Sequence, residues 1–242
     1  MDDQVNRLVE KVWNKFKETP RDQRITGIPG SGKTTLSVRF VAALNTLQRS
    51  SSSSSPSLGS GQSDPIAAFV PMDGYHHPRS FLSAMPDPAR AHARRGAEFT
   101  FDGTSFLSLV RLLRAPITSS TRTILAPSFD HAVKDPVADS ISVTPQQRIV
   151  VFEGNYLALD RSPWNEAAGM MDELWFVKVE RDVARRRLLE RHVKAGIAKD
   201  TAEAGKRADE NDLPNGDEIE GNVIPGVSEF VESREDERWV HA

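Results

Sequence analysis

The most constraining feature of the sequence is a glycine-rich stretch that fits the pattern G-x-x-x-x-G-K-[ST]. Its residues are Gly27, Ile28, Pro29, Gly30, Ser31, Gly32, Lys33 and Thr34. The apolar run Ile25–Ile28 predicts a strand before it, and apolar residues at helical spacing predict a helix over Thr34–Leu47 after it. Glycines let backbone N–H groups converge on phosphate oxygens, and the helix N-terminus adds a positive dipole end. The stretch therefore predicts a phosphate-binding loop, with Lys33 on the β- and γ-phosphates and Thr34 on Mg²⁺.

A glycine-rich turn with an incidental lysine is the alternative interpretation of this stretch. The strand before the loop and the helix after it argue against that alternative, because they are the context in which phosphate-binding loops occur.

Length and composition restrict the class of protein. The 242 residues are 38% hydrophobic, enough to bury one sizeable core, so we expect a single domain over residues 1–242. No apolar run is long enough to cross a bilayer, and the acidic start is unlike a secretory signal. The chain has no cysteine, which excludes disulfides and thiolate metal sites. We therefore expect a cytoplasmic protein without a membrane partner.

Two stretches outside the central part of the chain have simple interpretations. Apolar residues at helical intervals, Val5, Leu8, Val12 and Phe16, predict a leading helix within residues 1–20. Residues 50–64 are rich in serine, with glycine and proline, and cannot bury enough apolar surface to offset the entropy of ordering. We expect a disordered surface loop there.

Between these stretches, predicted strands alternate with predicted helices. The strands are Ala67–Met72, Thr123–Ala126, Ile149–Phe152 and Leu174–Val179, and the helices are Ala89–Arg95 and Thr104–Leu113. Val223–Phe230 fits either a strand or the edge of a helix. This alternation predicts an α/β, three-layer P-loop NTPase fold, in which helices cover both faces of a mostly parallel sheet.

Acidic residues follow two of the predicted strands. Asp73 comes directly after the second strand, where its carboxylate can accept a proton from an alcohol, although aspartate is also common in plain turns. Glu153 ends the Ile149–Phe152 strand, where a carboxylate can hold Mg²⁺ directly or through water, although a capping or turn role is the alternative. Functional groups collect at such strand ends in open parallel sheets.

Basic residues crowd a predicted helical region over residues 181–212. Arg187 and Arg191 are one turn apart on the same face, so their guanidinium groups can clamp a phosphate. A solvated basic face is the alternative. The net charge of −3 and the absence of a basic stripe with interleaved aromatic residues predict no nucleic-acid partner.

Several motifs in a fixed order resemble the phosphoribulokinase and uridine kinase family of small-molecule kinases. They are GIPGSGKTT, MDGYHHP, RRGAEFTFD, APSFDHAVKDPV, VVFEGNYLALDRSPW and the run from VERDVARRRLLERHVKAG to RADENDLPNG. The likeness covers roughly Arg24–Gly216 and is closest to the branch of fructose- and pantothenate-kinase-like proteins and their fungal relatives.

The resemblance implies ATP-dependent phosphorylation of an alcohol on a small metabolite such as a nucleoside, a sugar or a pantothenate-like alcohol. Asp73 matches the catalytic base, Glu153 the second acidic residue, and Arg187 and Arg191 a helical lid within residues 181–212. ATP·Mg²⁺ is expected on Gly27–Thr35, which adds Thr35 to the loop. The residues implied to border the acceptor are Tyr75, His76, Arg94, Arg95, Phe101, Asp130 and His131.

Two further segments bear on the acceptor and the lid. Phe129 stands where uridine kinases have tyrosine, and the histidine follows Asp130 directly, which argues against uridine itself. Asn211, Asp212 and Asn215 match a stretch that follows the lid in the close branch, and we expect them to contact the nucleotide or the lid.

Three functional hypotheses follow from the sequence. A metabolite kinase that works as a monomer or homodimer fits both the residues and the resemblance. A nucleotide-dependent regulatory ATPase or binding module is the alternative, and would suit the serine-rich loop and the acidic tail. A kinase or ATPase that acts on nucleic acid is the third and predicts retention on single-stranded DNA or RNA.

Overall fold

The computed structural model describes residues 2–29, 34–52 and 64–233. The central part of the phosphate-binding loop, Gly30, Ser31, Gly32 and Lys33, lies outside the described residues, and so does most of the serine-rich segment predicted over residues 50–64.

Strands and helices alternate along the described residues, with bounds close to those predicted. The strands are β1 Ile25–Pro29, β2 Ala67–Pro71, β3 Ile124–Asp130, β4 Asp135–Val143, β5 Ile149–Glu153, β6 Glu173–Lys178 and β7 Glu229–Glu232. The helices are α1 Asp2–Glu18, α2 Thr34–Ser52, α3 Arg79–Ser83, α4 Pro88–Ala93, α5 Gly103–Arg114, α6 Trp164–Ala168, α7 Arg181–Lys194, α8 Thr201–Arg207 and α9 Leu213–Gly221. Single 3₁₀ turns span Met72–Tyr75 and Glu98–Thr100, and a π-helical segment, Ala208–Asp212, joins α8 to α9.

The main sheet is parallel throughout and confirms the predicted α/β class. Its strand order is β2-β5-β1-β6-β7, with β1 hydrogen-bonded between β5 and β6. Because all five strands run in the same direction, their carboxyl ends meet at one edge. The chain segments that follow β1, β2 and β5 therefore start side by side.

Helices cover both faces of this sheet, because its strands are apolar on both sides. In β5, Ile149 and Val151 pack into the cluster formed with α1 and α2, whereas Val150 and Phe152 pack into the cluster formed with α5 and α6. Successive side chains of a strand point to opposite faces, which produces this division. The predicted leading helix is confirmed as α1.

A β-hairpin that was not predicted stands apart from the main sheet. The predicted short strand Thr123–Ala126 is the start of β3, which pairs antiparallel with β4 and not with the parallel strands. Five of the nine β4 residues are exposed, and Asp139, Ser140 and Ser142 interrupt its apolar residues, so it carries no continuous apolar run that would signal a strand. The undecided segment Val223–Phe230 runs into β7, a parallel strand at the edge of the main sheet.

A buried carboxylate joins α1 to the main sheet. Glu173, at the start of β6, is only 6% exposed. Its oxygens accept hydrogen bonds from Lys11 Nζ at 2.9 Å, Lys15 Nζ at 3.0 Å and Trp175 Nε1 at 3.2 Å. Burial by itself would raise the pKa of Glu173, but these three donors together lower it.

We predict that Glu173→Gln lowers the free energy of unfolding by about 2 kcal/mol near neutral pH, since the two lysines lose a buried anionic partner. The pKa of Glu173 is lower in the folded protein than in the unfolded chain. Its contribution to stability is therefore complete above the ordinary value of 4.5 and is lost as the pH falls through the folded value.

Urea unfolding of the wild type and of Glu173→Gln, at neutral pH and well below the ordinary carboxyl pKa, measures this contribution. The difference between the two proteins should shrink in acid. Glu10→Gln is the control and should unfold like the wild type, because Glu10 is an exposed glutamate of α1, the helix that carries Lys11 and Lys15. Equal effects of the two substitutions at neutral pH would contradict the prediction.

Candidate functional site

Three polar residues lie at or just beyond the carboxyl edge of the main sheet, and two of them are in contact. Thr34 begins α2 directly after the phosphate-binding loop, and its hydroxyl donates a hydrogen bond to Glu153 Oε2 at 3.2 Å. Glu153 is the last residue of β5 and is 8% exposed. Pro71, the last residue of β2, pairs with Glu153, and Asp73 lies two residues further on, in the turn that follows β2. The parallel register thus gathers residues that are up to 119 positions apart in the sequence.

The glycines that follow the two carboxylates are required by close packing. A Cβ atom at Gly74 would lie 2.2 Å from the carbonyl oxygen of Pro127, and one at Gly154 would lie 2.3 Å from Met72 Cβ. Both distances are far below a van der Waals contact. The backbone of the segment after β2 is therefore pressed against β3 on one side and against the segment after β5 on the other.

His76 is held beside Asp73. Its Nδ1 donates to the backbone carbonyl of Asp73 at 2.9 Å, and its ring packs on Phe101 and Phe129 with centroids 3.9 and 4.8 Å away. Burial lowers the pKa of His76 and Arg95 acts in the same direction, whereas the Asp73 carboxylate opposes them. The imidazole is thus neutral near pH 7 and Nε2 remains an acceptor. The Asp73 side chain is 46% exposed and accessible to a substrate.

Arg95 connects the segment after β2 to the β3–β4 hairpin. Its Nη2 donates to the backbone carbonyl of His77 at 3.1 Å and to Asp135 Oδ1 at 2.9 Å, and Nη1 donates to the carbonyl of Lys134. The guanidinium group also lies 5.5 Å from the centroid of the Phe129 ring. The charge of Arg95 is therefore paired, and the side chain works as a structural tie close to the site.

Two of the residues expected to border the acceptor are core residues. Tyr75 is 6% exposed and packs edge-on against Phe106 with centroids 5.3 Å apart, and burial raises its pKa. Phe101 is 7% exposed and packs on Tyr156 and His76. The prediction that Tyr75 contacts the acceptor does not fit this burial, whereas Phe101 can act on the site by supporting His76.

Asp130 and His131 lie at the tip of the β3–β4 hairpin. The Asp130 carboxylate accepts hydrogen bonds from the backbone N–H groups of Val133 at 3.0 Å and Ala132 at 2.8 Å, which lower the pKa of Asp130. It therefore stabilises the hairpin turn, and the expectation that it binds the acceptor has a structural alternative. His131 is exposed, and its ring centroid lies 5.2 Å from that of Phe129, the ring that packs on His76.

Residues around the turn at Arg94–Gly96 were not all foreseen. Asn215 Oδ1 accepts from Arg94 Nη2 at 2.6 Å, and Asn211 Nδ2 and Arg207 Nη2 donate to the carbonyl of Arg95 at 3.3 and 3.4 Å. The two asparagines were expected to contact the nucleotide or the lid, and in the structure they pack against this turn. Residues 207, 211 and 215 follow one another at intervals of four, which was the available signal that they share one face of the helical run.

A tyrosine that was not predicted holds the same turn. The Tyr156 hydroxyl, from the segment that follows β5, donates to the carbonyl of Gly96 at 2.7 Å. The EGNY motif thus places its carboxylate towards Thr34 and its tyrosine towards the turn.

The basic residues of α7 are divided between paired and exposed positions. Arg185 forms two hydrogen bonds of 2.7 Å to Asp209, and Arg181 pairs with Asp217 at 2.9 Å. Arg187 Nη1 donates to Ser233 Oγ at 2.8 Å, and Arg191, one turn later, is exposed. The predicted lid role of Arg187 and Arg191 stays a prediction.

The frame of the phosphate-binding loop is as predicted. Gly27, Ile28 and Pro29 belong to β1, and Thr34 and Thr35 form the first turn of α2. A Cβ atom at Gly27 would lie 3.1 Å from the carbonyl oxygen of Glu173, so the start of the loop is closely packed against β6. In the described part of the chain, no helix is both long and apolar enough to cross a membrane.

The sequence is similar to kinase-like proteins of fungi. It is 54% identical over 160 residues to the ATP-dependent kinase-like protein notR' of Aspergillus versicolor, a match that covers 66% of this chain and 92% of that protein. It is 39% identical over 220 residues to a candidate uridine kinase of Schizosaccharomyces pombe, covering 89% of this chain and 86% of that protein. No family model matches the chain.

The fold is also similar to solved structures. A candidate fructose transport system kinase from Silicibacter superimposes with a TM-score of 0.73 at 28% identity, covering 93% of this chain and 98% of that one. YFH7 of Saccharomyces cerevisiae, described as a P-loop containing kinase, has a TM-score of 0.81 at 22% identity and shares the fold, with 96% and 99% coverage.

We predict that Gly74→Ala destabilises the protein, because the added methyl group overlaps the backbone of Pro127 and overpacking costs about 1–3 kcal/mol. Thermal unfolding measures the effect. Gly216→Ala, at a helical glycine with nothing within 4 Å of its Cβ position, is the matched control and should be neutral or stabilising. An unchanged melting temperature in Gly74→Ala would show that the close contact is not a constraint in solution.

Proposed function

The chain belongs to the phosphoribulokinase and uridine kinase family of P-loop kinases, and on that premise we propose that it transfers the γ-phosphate of ATP to a hydroxyl group of a small metabolite. The observation that carries this proposal is the position of Asp73, in the turn directly after β2, the strand whose last residue pairs with Glu153, which is hydrogen-bonded to Thr34. A phosphate-binding loop by itself indicates only nucleotide binding. An accessible carboxylate beside it supplies the group that a phosphotransfer enzyme needs for its acceptor.

The donor half of the site is proposed to bind ATP·Mg²⁺. The Thr34 hydroxyl and the Glu153 carboxylate are hard oxygen ligands 3.2 Å apart, which fits a Mg²⁺ ion held by Thr34 directly and by Glu153 directly or through water. When bound, the ion neutralises charge on the β- and γ-phosphates. Lys33, from the sequence, is assigned to the same phosphates.

The acceptor half of the site is proposed to centre on Asp73. Its carboxylate accepts the proton of the acceptor hydroxyl as the alcohol oxygen forms a bond to the γ-phosphorus. The bond from that phosphorus to the bridging oxygen breaks, and ADP leaves. His76 is neutral and anchored to the backbone of Asp73, so its Nε2 can accept a hydrogen bond from a second hydroxyl of the substrate.

A lid over the bound nucleotide is proposed to be formed by α7. Arg187 and Arg191 are assigned to close over the triphosphate, exclude water and stabilise charge on the transferred group. Arg191 is exposed and can turn towards a bound nucleotide. Arg187 contacts Ser233 in this structure and would exchange that contact for phosphate.

We predict that Asp73→Asn lowers kcat about 10²- to 10⁴-fold, because an amide cannot accept the proton of the alcohol. The dissociation constant for ATP should stay within about threefold of the wild type, since the substitution leaves the donor half intact. A coupled assay of ADP release with a panel of alcohols, followed by mass detection of the phosphorylated product, measures kcat. Calorimetric titration with ATP and Mg²⁺ measures the dissociation constant for ATP.

Asp139→Asn is the matched control, because Asp139 is an exposed aspartate of β4 in a left-handed conformation that asparagine also adopts. It should leave both values unchanged. Near-normal transfer by Asp73→Asn would overturn the assignment of the base. ATP hydrolysis that responds to a protein partner but to no alcohol would instead favour the regulatory ATPase.

A further inference from the structure

A group of polar residues is buried between the turn at Arg94–Gly96 and the helical run from α8 to α9. We call it the polar seam, and it consists of Arg94, Arg95, Arg207, Asn211 and Asn215. Asn211 and Asn215 are 3% and 5% exposed, and the three arginines are half-buried. Residues 207, 211 and 215 are four apart and present one face of the helical run to the turn.

Two cations of the polar seam have no anionic partner among the residues that the structure describes. The side chain of Arg94 is bonded to the neutral amide of Asn215, and that of Arg207 to the backbone carbonyl of residue 95. By contrast, Arg95 is paired with Asp135. The Nε atoms of Arg94, Arg95 and Arg207 and the amide oxygen of Asn211 are buried and, within those described residues, have no hydrogen-bond partner.

Three carboxylates of the neighbouring segments are engaged elsewhere. Glu218 binds Arg161 at 2.8 Å, and Glu98 accepts from Trp164 Nε1 at 2.9 Å. Asp212 binds His192 at 2.8 Å. The positive charge of Arg94 and Arg207 is therefore not cancelled by the acidic residues around them.

Buried guanidinium groups are normally paired, because the loss of hydration is costly unless an anion replaces it. Two arginines with buried, unpartnered donors are therefore suited to a ligand that supplies the missing negative charge. Arginine is suited to this task because its fork of N–H groups matches the oxygens of a carboxylate or phosphate.

The polar seam is connected directly to the proposed acceptor half. Arg95 binds the carbonyl of His77, and His76 binds the carbonyl of Asp73. Tyr156, which follows Glu153 by three residues, binds the carbonyl of Gly96. The polar seam is thus joined by hydrogen bonds to the segments that carry Asp73 and Glu153.

We propose that the acceptor alcohol is itself an anion, and that Arg94 and Arg207 bind its carboxylate or phosphate group. The inference rests on the proposed kinase function and narrows it, since neutral nucleosides and free sugars are then poor substrates. Asn211, with its unpartnered amide oxygen, can accept a hydrogen bond from a further hydroxyl of the same substrate.

The kinetic test compares each acid with its neutral analogue as acceptor, in ADP release with product detection by mass. Glycerate against glycerol tests the carboxylate, and ribose 5-phosphate against ribose tests the phosphate. The acid should be preferred in at least one pair. Arg94→Gln and Arg207→Gln should raise KM for that acid about tenfold to a hundredfold, the value of a charge-assisted hydrogen bond. The KM for ATP should not change.

Arg90→Gln is the matched control. Arg90 lies on α4, directly before the turn, but it is exposed, and its Cζ atom lies 5.5 Å from the centroid of the Phe99 ring. It should behave as the wild type. A neutral analogue used as well as its acid, with normal kinetics in Arg94→Gln and Arg207→Gln, would overturn the anion site and leave the kinase proposal standing.

A binding test does not depend on knowing the acceptor. The wild type and the three variants are saturated with Mg²⁺ and a non-hydrolysable ATP analogue, so that the phosphate-binding loop is occupied, and are then melted with inorganic phosphate or with equal ionic strength of chloride. Phosphate should raise the melting temperature of the wild type and of Arg90→Gln, but not of Arg94→Gln or Arg207→Gln.

An equal shift in all four proteins would overturn the anion site. A selective shift combined with no phosphorylation of any alcohol would support the site and contradict the kinase proposal. The two inferences therefore fail separately.

Discussion

The parallel pairing of β1 with β5 and of β5 with β2 is the constraint on which the rest of the structure depends. It places the ends of three strands in one row, so that Thr34 is hydrogen-bonded to Glu153 and Asp73 lies in the turn after the neighbouring strand. A shift of one residue in the pairing of β5 would turn Glu153 towards the opposite face, because side chains alternate along a strand. In the observed register Ile149 and Val151 pack in one core cluster and Val150 and Phe152 in the other.

Around this row, close backbone contacts determine which residues can occur. Gly74 lies against Pro127 of β3 and Gly154 lies against Met72, so neither position has space for a side chain. The β3–β4 hairpin is in turn tied to the segment after β2 through Arg95 and Asp135. The proposed acceptor side of the site is thus built from a hairpin and a turn that depend on each other, whereas the proposed donor side is built on the sheet itself.

Much of the fold was predictable because it depends on local patterns. The apolar face of α2 and the apolar runs of β1, β5 and β6 identified these elements within a few residues. The β3–β4 hairpin was not foreseen, since β4 is largely exposed and carries no continuous apolar run. Tyr75 illustrates the same limit at the site, because its motif is the one that carries Asp73, yet its ring turns into the core.

The sequence by itself determined that this chain has a phosphate-binding loop between a strand and a helix, a parallel sheet and carboxylates at strand ends, because each of these is encoded in a short run of residues. Only the tertiary structure decided which side chains meet. Arg94 and Asn215 are 121 positions apart, and Asn211 contacts the turn at residue 95 across 116. Such contacts are made by packing of the α8–α9 run against the turn; the four-residue spacing puts residues 207, 211 and 215 on one face of the run but does not say what that face meets. The pairing of arginines with carboxylates, and the absence of such a partner for Arg94 and Arg207 among the described residues, is likewise decided by packing.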